Sequence, residues 1–266
     1  MLDKGKAILK IIFPSLKKGN DIKLLSNVFN KIYDKKVLVS YIILPFTSGV
    51  KTTHTNTLEC FTACKIFDEL GYNVDVIDYD SKSVSVAYEE YDLIYGFGTP
   101  IEESFNAGNS IKRVIYGTGC DTVYSNTASL ARVKSFYEKY RILCLSSARL
   151  AELTWRRQII FSDLVIALGN DFVKRTYQEQ TNSKVESLNL FFRGGEKTDL
   201  LSKKYSSAKN KFIWWGSAGA IHKGLDLLLE VFLKRKDIEL YVCGYKPEYP
   251  FHEYFMRVIN ENTNII

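Results

Sequence analysis

The sequence is short of the features that would place it in a class at once. No apolar run approaches the ~20 residues that a helical membrane span needs, so none is expected. Lys10 splits the apolar patch near the N-terminus and no small-residue cleavage site follows, so a secretory signal is not expected either. Cys60, Cys64, Cys120, Cys144 and Cys243 are an odd set without CxxC spacing, which reads as reduced thiols in a cytosolic protein. His54, His222 and His252 are scattered, no metal-ligand spacing occurs, and no metal site is expected. No strand-like run is followed by a complete GxGxxG, and GxxxxGK[ST] is missing; this argues against a nicotinamide fingerprint and an ordinary P-loop. Beyond the N-terminus no basic patch carries interleaved aromatics, so nucleic acid is not an expected partner.

What remains is the composition of a soluble globular protein of 266 residues, 46% hydrophobic and 25% charged, with ample material for one large or two ordinary domains. The charge is unevenly placed. Residues 1–36 hold nine lysines and three aspartates, which equals the formal +6 of the whole chain and leaves the rest neutral. With Ile8, Leu9, Ile11, Ile12, Phe13 and Leu16 among them, this basic segment reads as a helix. It suits either packing on the first domain or lying on an anionic membrane surface.

From Lys36 onward, strand-like runs alternate with helical periods. Strands are expected at Val37–Phe46, Val74–Ile77, Leu93–Phe97, Val114–Tyr116, Arg141–Leu145, Leu164–Leu168 and Lys184–Leu188. Between them, Leu58, Phe61, Cys64, Phe67 and Leu70 mark a helix closed by Gly71, and further helices run to about Lys139, over Glu152–Phe161 and over Phe172–Gln180. The stretch Arg193–Asn210, with Gly194-Gly195 and serines among lysines, reads as a linker. After it come a strand (Phe212–Trp215), a helix from Lys223, a strand (Glu239–Cys243), a helix (Phe251–Ile259) and a strand fragment at Ile265-Ile266. The expected fold class is therefore α/β, with two Rossmann-like domains, the second incomplete. Their bounds are a basic helical segment at 1–36, a first domain at 37–192, a linker at 193–210 and a partial second domain at 211–266. Ending inside an apolar strand, the chain is expected to be truncated or to need a protein partner that completes the second domain.

The most informative segment is FIWWGSAGAIHKGLDLLLEVF, Phe212 to Phe232. A strand breaks at Gly216-Ser217-Ala218-Gly219, and Lys223 stands before a helix carrying Leu225, Leu228, Leu229 and Phe232 on one face. Small residues let an anion approach the backbone, unpaired N–H groups of a helix start point at it, and a lysine adds charge, a combination that suits a diphosphate. On spacing alone the favoured reading is a plain βα turn with a surface lysine.

Gly216 through Asp226 resembles the start of the donor-binding domain of glycosyltransferase family 4 enzymes, which have the GT-B fold. Gly216 matches the family's loop glycine and Lys223-Gly224 the pair that opens a helix at the donor diphosphate. Where many members carry arginine after the glycine, this chain has Ser217. Weaker likeness lies at His54–Glu59, Tyr95–Ser104 and Ala167–Tyr177, where Gly169 and Asn170 are recognisable. The resemblance implies a GT-B arrangement and a transferase that moves a sugar from a nucleotide-diphosphate donor to a hydroxyl acceptor, retaining configuration and using no metal or other cofactor. Gly216, Ser217, Gly219, Lys223 and Gly224 would bind the donor diphosphate. The family's downstream pair of glutamates has no equivalent before Ile266.

Other constellations surround this one. Asn56 and Glu59 have capping-box spacing at a helix start that also carries Gly49, His54 and Thr55. His54 is either a polar loop residue or, as the resemblance implies, one that faces the acceptor and either orients its hydroxyl or acts in proton transfer. Gly96-Phe97-Gly98 and Gly117-Thr118-Gly119 read as loops kept small for a ligand, so that Gly49, Thr55, Asn56, Gly98, Gly117 and Gly119 form the acceptor side. Asp121 stands near a position where relatives often have histidine and is the second catalytic candidate beside His54. Asp78-Tyr79-Asp80 spells DxD but closes a strand, and reads as a turn with solvated carboxylates. Arg149, Trp155, Arg156 and Arg157 suit either an anion contact or an outer helix with snorkelling arginines. The expected protein is cytoplasmic, peripheral on the inner membrane face if the N-terminus binds lipid, with a nucleotide sugar and a glycan, lipid-linked or small-molecule acceptor as partners. Two alternatives stand beside it: a non-catalytic partner subunit of the same fold or an inactive fragment, and, less well supported, a nucleotide-dependent oxidoreductase.

Overall fold

The computed structural model describes residues 24–50, 54–82, 85–108, 110–151, 156–190, 202 and 204–266. Its strands are β1 (Lys35–Tyr41), β2 (Tyr72–Asp78), β3 (Leu93–Gly96), β4 (Lys112–Gly117), β5 (Leu164–Leu168), β6 (Lys184–Leu188), β7 (Lys211–Trp215) and β8 (Glu239–Cys243). Its helices are α1 (Leu44–Ser48), α2 (Asn56–Glu69), α3 (Thr99–Ser104), α4 (Thr122–Tyr140), α5 (Arg156–Phe161), α6 (Asp171–Gln178), α7 (Tyr205–Ala208), α8 (Leu225–Lys234) and α9 (Phe251–Asn260). Chain contacts divide it into two compact units, residues 1–119 with 154–192 and residues 120–153 with 193–266.

In the first unit, β1–β6 form one parallel sheet in the order β2-β1-β3-β4-β5-β6. The protein is thus of the α/β class with a Rossmann-like sheet flanked by helices. Both faces of the central strands are covered, which is why β1, β3 and β5 read as largely apolar runs, whereas the edge strand β6 is mostly exposed. Val37, Val39, Val74, Val76, Tyr95 and Tyr116 enter one core with Cys60 and Cys64 of α2. Leu38, Ile77, Ile94, Ile115, Val165 and Val185 enter the other with Ile101 of α3, Ile159 of α5 and Tyr177 of α6. The strand order reverses between β1 and β3, and in such sheets ligands bind outside the carboxyl ends at that switch point.

Three local expectations are corrected. β1 stops at Tyr41, short of Phe46, because Pro45 opens α1 and has no N–H to offer a ladder. Over residues 24–36 there is no helix. Leu25 instead bridges the edge strand β2 at Val76, antiparallel, with N–H···O distances of 2.9 and 2.8 Å. Asn27 and Asn30 have positive φ, which a helix does not accommodate, and Asn27 staples the turn through Lys31. The rest of the expected helix, residues 1–23, lies outside the described residues. Arg141–Leu145 is not a strand: Arg141 ends α4 in the left-handed region (φ 57°), and a single 3-10 turn follows at Leu145–Ser147.

In the second unit β7 and β8 pair in parallel, and Ile265 bridges Leu240 of β8, also in parallel. The expected helix from Lys223 begins at Leu225, after Gly224 in the left-handed region. Leu225, Leu229, Phe232, Leu240, Phe251, Tyr254 and Phe255 build the core together with Phe136 of α4. Phe136 meets Phe251 and Tyr254 edge-on at 5.5 Å each. α4 therefore belongs to this unit, although the sequence reading set it within residues 37–192. No helix among the described residues is long and apolar enough to cross a membrane.

Candidate functional site

At the carboxyl end of the six-stranded sheet, the chain from β1 turns through α1 and enters α2. Thr55 is the N-cap and Asn56 the first helical residue, so Asn56 and Glu59 are one position off for a capping box and none forms. The cap donor is used otherwise: the Asn56 N–H donates to Nδ1 of His54 at 3.1 Å. In this arrangement the neutral ring carries its proton on Nε2, so exposed His54 presents a hydrogen-bond donor outward.

Glu59 turns inward and is 7% exposed. Its Oε2 accepts from the hydroxyls of Tyr41 at the end of β1 (2.9 Å) and Tyr116 of β4 (3.2 Å). Burial, reinforced by the Glu59 charge, holds both phenols well above their ordinary range. This buried acid ties two strand ends to the helix behind His54, and sequence reasoning had assigned it only to a cap. The signal was present in Tyr41 and Tyr116, since phenols on buried strands require a polar partner.

The small-loop expectation divides. A β-carbon on Gly98 would lie 2.1 Å from Tyr79 O, and one on Gly117 2.3 Å from the Tyr177 hydroxyl oxygen. Gly98 is further clamped by Gln158, which accepts from its N–H (3.1 Å) and donates to its carbonyl (2.8 Å). These two glycines are required by protein packing, not by ligand approach. Gly49 (φ 73°) and Gly119 have no described atom within 4 Å of such a carbon. Asp78 is half-buried, not solvated: its Oδ1 accepts the Ile43 N–H at 2.8 Å, and burial raises its pKa. Arg156 and Arg157 belong to this unit and Arg149 to the other, while Trp155 lies outside the described residues.

In the second unit, Asp121 is fully buried as the N-cap of α4, its Oδ1 accepting the Val123 N–H at 2.9 Å. The loop after β7 carries the expected diphosphate residues. Gly216 must be glycine because a β-carbon would sit 2.0 Å from the Trp214 ring, whose Nε1 donates to the Lys223 carbonyl. Gly219 (φ 84°) and Gly224 (φ 72°) both occupy the left-handed region. The N–H groups of Lys223, Gly224 and Leu225 are taken by the carbonyls of Gly219, Ile221 and Ala220, so these three amides around the helix start are not open to an anion. The donors that do lie one turn earlier. The N–H groups of Gly219 and Ala220 both donate to the Glu248 carboxylate, the second at 3.2 Å, and Ser147 Oγ adds a third bond at 2.8 Å. Glu248 arrives from the loop after β8, where Gly216 N–H donates to Cys243 O at 3.1 Å and brings the two strand ends together.

Positive charge surrounds this loop. Lys223 Nζ donates to Ser217 Oγ at 2.7 Å, and Arg132 Nη2 reaches both Asp226 oxygens at 2.7 Å and Ile221 O at 3.5 Å. Partial burial, followed by the charges of Arg149, Lys223 and Arg132, holds the His222 imidazole below its ordinary pKa. The folded ring thus takes up a proton less readily than the unfolded one. Its contribution to stability is full above the unfolded pKa and is lost as pH falls toward the folded value. In an NMR titration of the ring Cε1–H, His222 is expected to have the lower midpoint beside a histidine in unfolded peptide. Arg149→Ala should raise that midpoint; an unchanged midpoint would remove Arg149 from the cluster. Among the described residues no group of three or more His, Cys, Asp or Glu could hold a metal ion. The loop can hold an anion by two amides and nearby cations.

No protein-family model matches the chain, and no curated protein is matched by it.

Proposed function

We propose that this protein is a glycosyltransferase of the GT-B type, of the kind that the resemblance at Gly216–Asp226 implies. It would transfer a sugar from a nucleotide-diphosphate donor to a hydroxyl acceptor, with retention and without a metal. The observation that supports this most is the Gly219–Ala220 amide pair, which already grips a carboxylate, on a loop whose His222 feels the charges of Arg149, Lys223 and Arg132. Preorganised amides and cations at a strand end are what a departing diphosphate requires, since charge develops there as the sugar leaves. On this reading Gly216, Ser217, Gly219, Lys223 and Gly224 form the donor side, and Arg149 adds the charge that Ser217 does not carry. Gly49, Thr55, Asn56 and Gly119 border the acceptor, while Gly98 and Gly117 serve packing. His54 acts there as a donor through Nε2–H, orienting an acceptor hydroxyl; Asp121 keeps its capping role. The acceptor is a glycan, a lipid-linked or a small-molecule hydroxyl, and the lysines of residues 1–36 suit an anionic membrane surface.

A ligand that binds the native state alone raises its melting temperature. In a thermal-shift screen against UDP-, GDP- and ADP-sugars, one donor class is expected to raise the wild-type Tm by several degrees and to leave Lys223→Ala unmoved. A folded sample that responds to none, or a variant that responds like the wild type, removes the reading. A second reading, a non-catalytic partner subunit of the same fold, is favoured by Ser217 and by the carboxylate held where a phosphate would lie. Under it, donor binding persists in the screen but no sugar is transferred or hydrolysed.

A further inference from the structure

The Glu248 carboxylate lies where an anionic ligand would have to bind. Gly219 and Ala220 are buried residues, and their N–H groups reach past the side chain of the loop to one acceptor, a carboxylate delivered from the neighbouring strand end. A carboxylate that accepts from two successive amides and a hydroxyl is bound as an anion is bound in a backbone nest. The contact is not a surface ion pair, because no cation reaches Glu248 within salt-bridge distance among the described residues. The nearby cations Arg132, Arg149 and Lys223 hold other partners or face outward.

We infer that Glu248 is a built-in competitor for the anion site of the Gly216–Gly224 loop: with its carboxylate on the Gly219 and Ala220 amides the loop is closed to a diphosphate, and ligand binding requires that side chain to leave. The inference rests on the proposed reading of this loop as the donor diphosphate site. Two consequences follow from competition for the same donors. Affinity for a diphosphate is reduced by the fraction of molecules with the amides free. Release of Glu248 also frees Ser147 Oγ, so the segment at Leu145–Ser147 is coupled to occupancy of the loop.

Inorganic pyrophosphate, titrated by calorimetry into the full chain, tests this. Glu248→Gln is expected to bind about tenfold tighter than the wild type, since the neutral amide side chain presents an N–H₂ to one of the two amides. Removing a negative charge near an anion tightens binding by itself, so Glu248→Asp is the deciding variant. It keeps the charge but is one methylene too short to span to the amides, and it too should bind tighter. If Asp leaves the affinity unchanged while Gln improves it, through-space charge is the whole effect and the competitor role is overturned. Ser147→Ala, which removes one of the three bonds without touching either amide, should give a smaller gain and decides the matter should the Glu248 variants not fold. Equal affinity in every variant, lost in Lys223→Ala, would leave the phosphate site standing and remove the competitor. No binding in any of them would remove both.

Discussion

Replacing Arg132 by alanine is expected to cost the second unit about 3 kcal/mol of stability, because it strands a buried carboxylate. Asp226 sits in the first turn of α8 with its side chain 3% exposed, and Arg132 Nη2 bonds both of its oxygens. Arg132 also reaches Ile221 O, so its loss releases α4 from the loop and from the helix at once. Breaking such a pair from one side is far costlier than replacing both partners. A volume-matched apolar pair, Arg132→Met with Asp226→Leu, should therefore recover much of the loss. Urea unfolding followed by tryptophan fluorescence reports it, since Trp214 lies in the core that α4 covers. A loss under about 1 kcal/mol would mean that Asp226 finds another partner or water, and that α4 is held by its apolar face alone.

Arg113→Ala should destabilise the first unit by at least about 3 kcal/mol, as it leaves several buried acceptors without donors. Arg113 is 3% exposed on β4, between the exposed Lys112 and the apolar run that starts at Val114. Nε donates to Ser104 Oγ (3.0 Å), Nη1 to Ile111 O (3.0 Å) and Nη2 to the carbonyls of Ser104 and Gly108 (2.7 Å each). The guanidinium also lies 4.5 Å from the Phe105 ring centre. Burial lowers its pKa, the Asp163 carboxylate opposes that, and Arg157 adds to it. Arg113→Lys should rescue little, because a point charge with three donors cannot reproduce the planar fork across a loop and a helix end. Hydrogen exchange resolved to residues 99–117 would show the loss as faster opening of α3 and β4. Unchanged protection there would mean the turn at 104–111 closes without the guanidinium.

The sheet of the first unit was legible because its central parallel strands, buried on both faces, need apolar runs, and the edge strand followed from its place in the alternation. Val74–Ile77, Leu93–Phe97, Leu164–Leu168 and Lys184–Leu188 are all there within a residue or two. The strands and helices after Asn210 were read equally well, since Phe212–Trp215 and the Leu225 face have unambiguous periods. What a period cannot reveal is the partner of a face. Phe136 on α4 reads the same whether it covers β4 or packs on Phe251, and only its neighbours decide. The same limit hid Glu59: in sequence it is a capping residue three positions after Asn56, and only the tertiary fold brings it to Tyr41 and Tyr116.

The candidate site was legible in its residue types and illegible in its donors. Gly216, Gly219 and Lys223 do lie on one loop, but the anion-holding amides belong to Gly219 and Ala220 and not to the start of α8. Glu248 carried no signal at all, being one acid in a strand-end loop with no motif around it. Gly98 and Gly117 show the reverse error. A glycine before a helix suggests a ligand, yet here Tyr79 and Tyr177 fill the space a side chain would take.

The interleaving of the two units sets an order on folding. The chain leaves the six-stranded sheet after β4, contributes α4 to the second unit, and returns to lay down β5 and β6. Emerging from the ribosome, α4 has only Tyr140 of its own helix beside Phe136 at first, and the rings of Phe251 and Tyr254 are synthesised more than a hundred residues later. The sheet meanwhile waits with β4 as its edge until residues 164–188 arrive. Loop-closure entropy must be met before these distant contacts return anything, which slows folding and leaves this helix face without its two aromatic partners while the intervening residues are made.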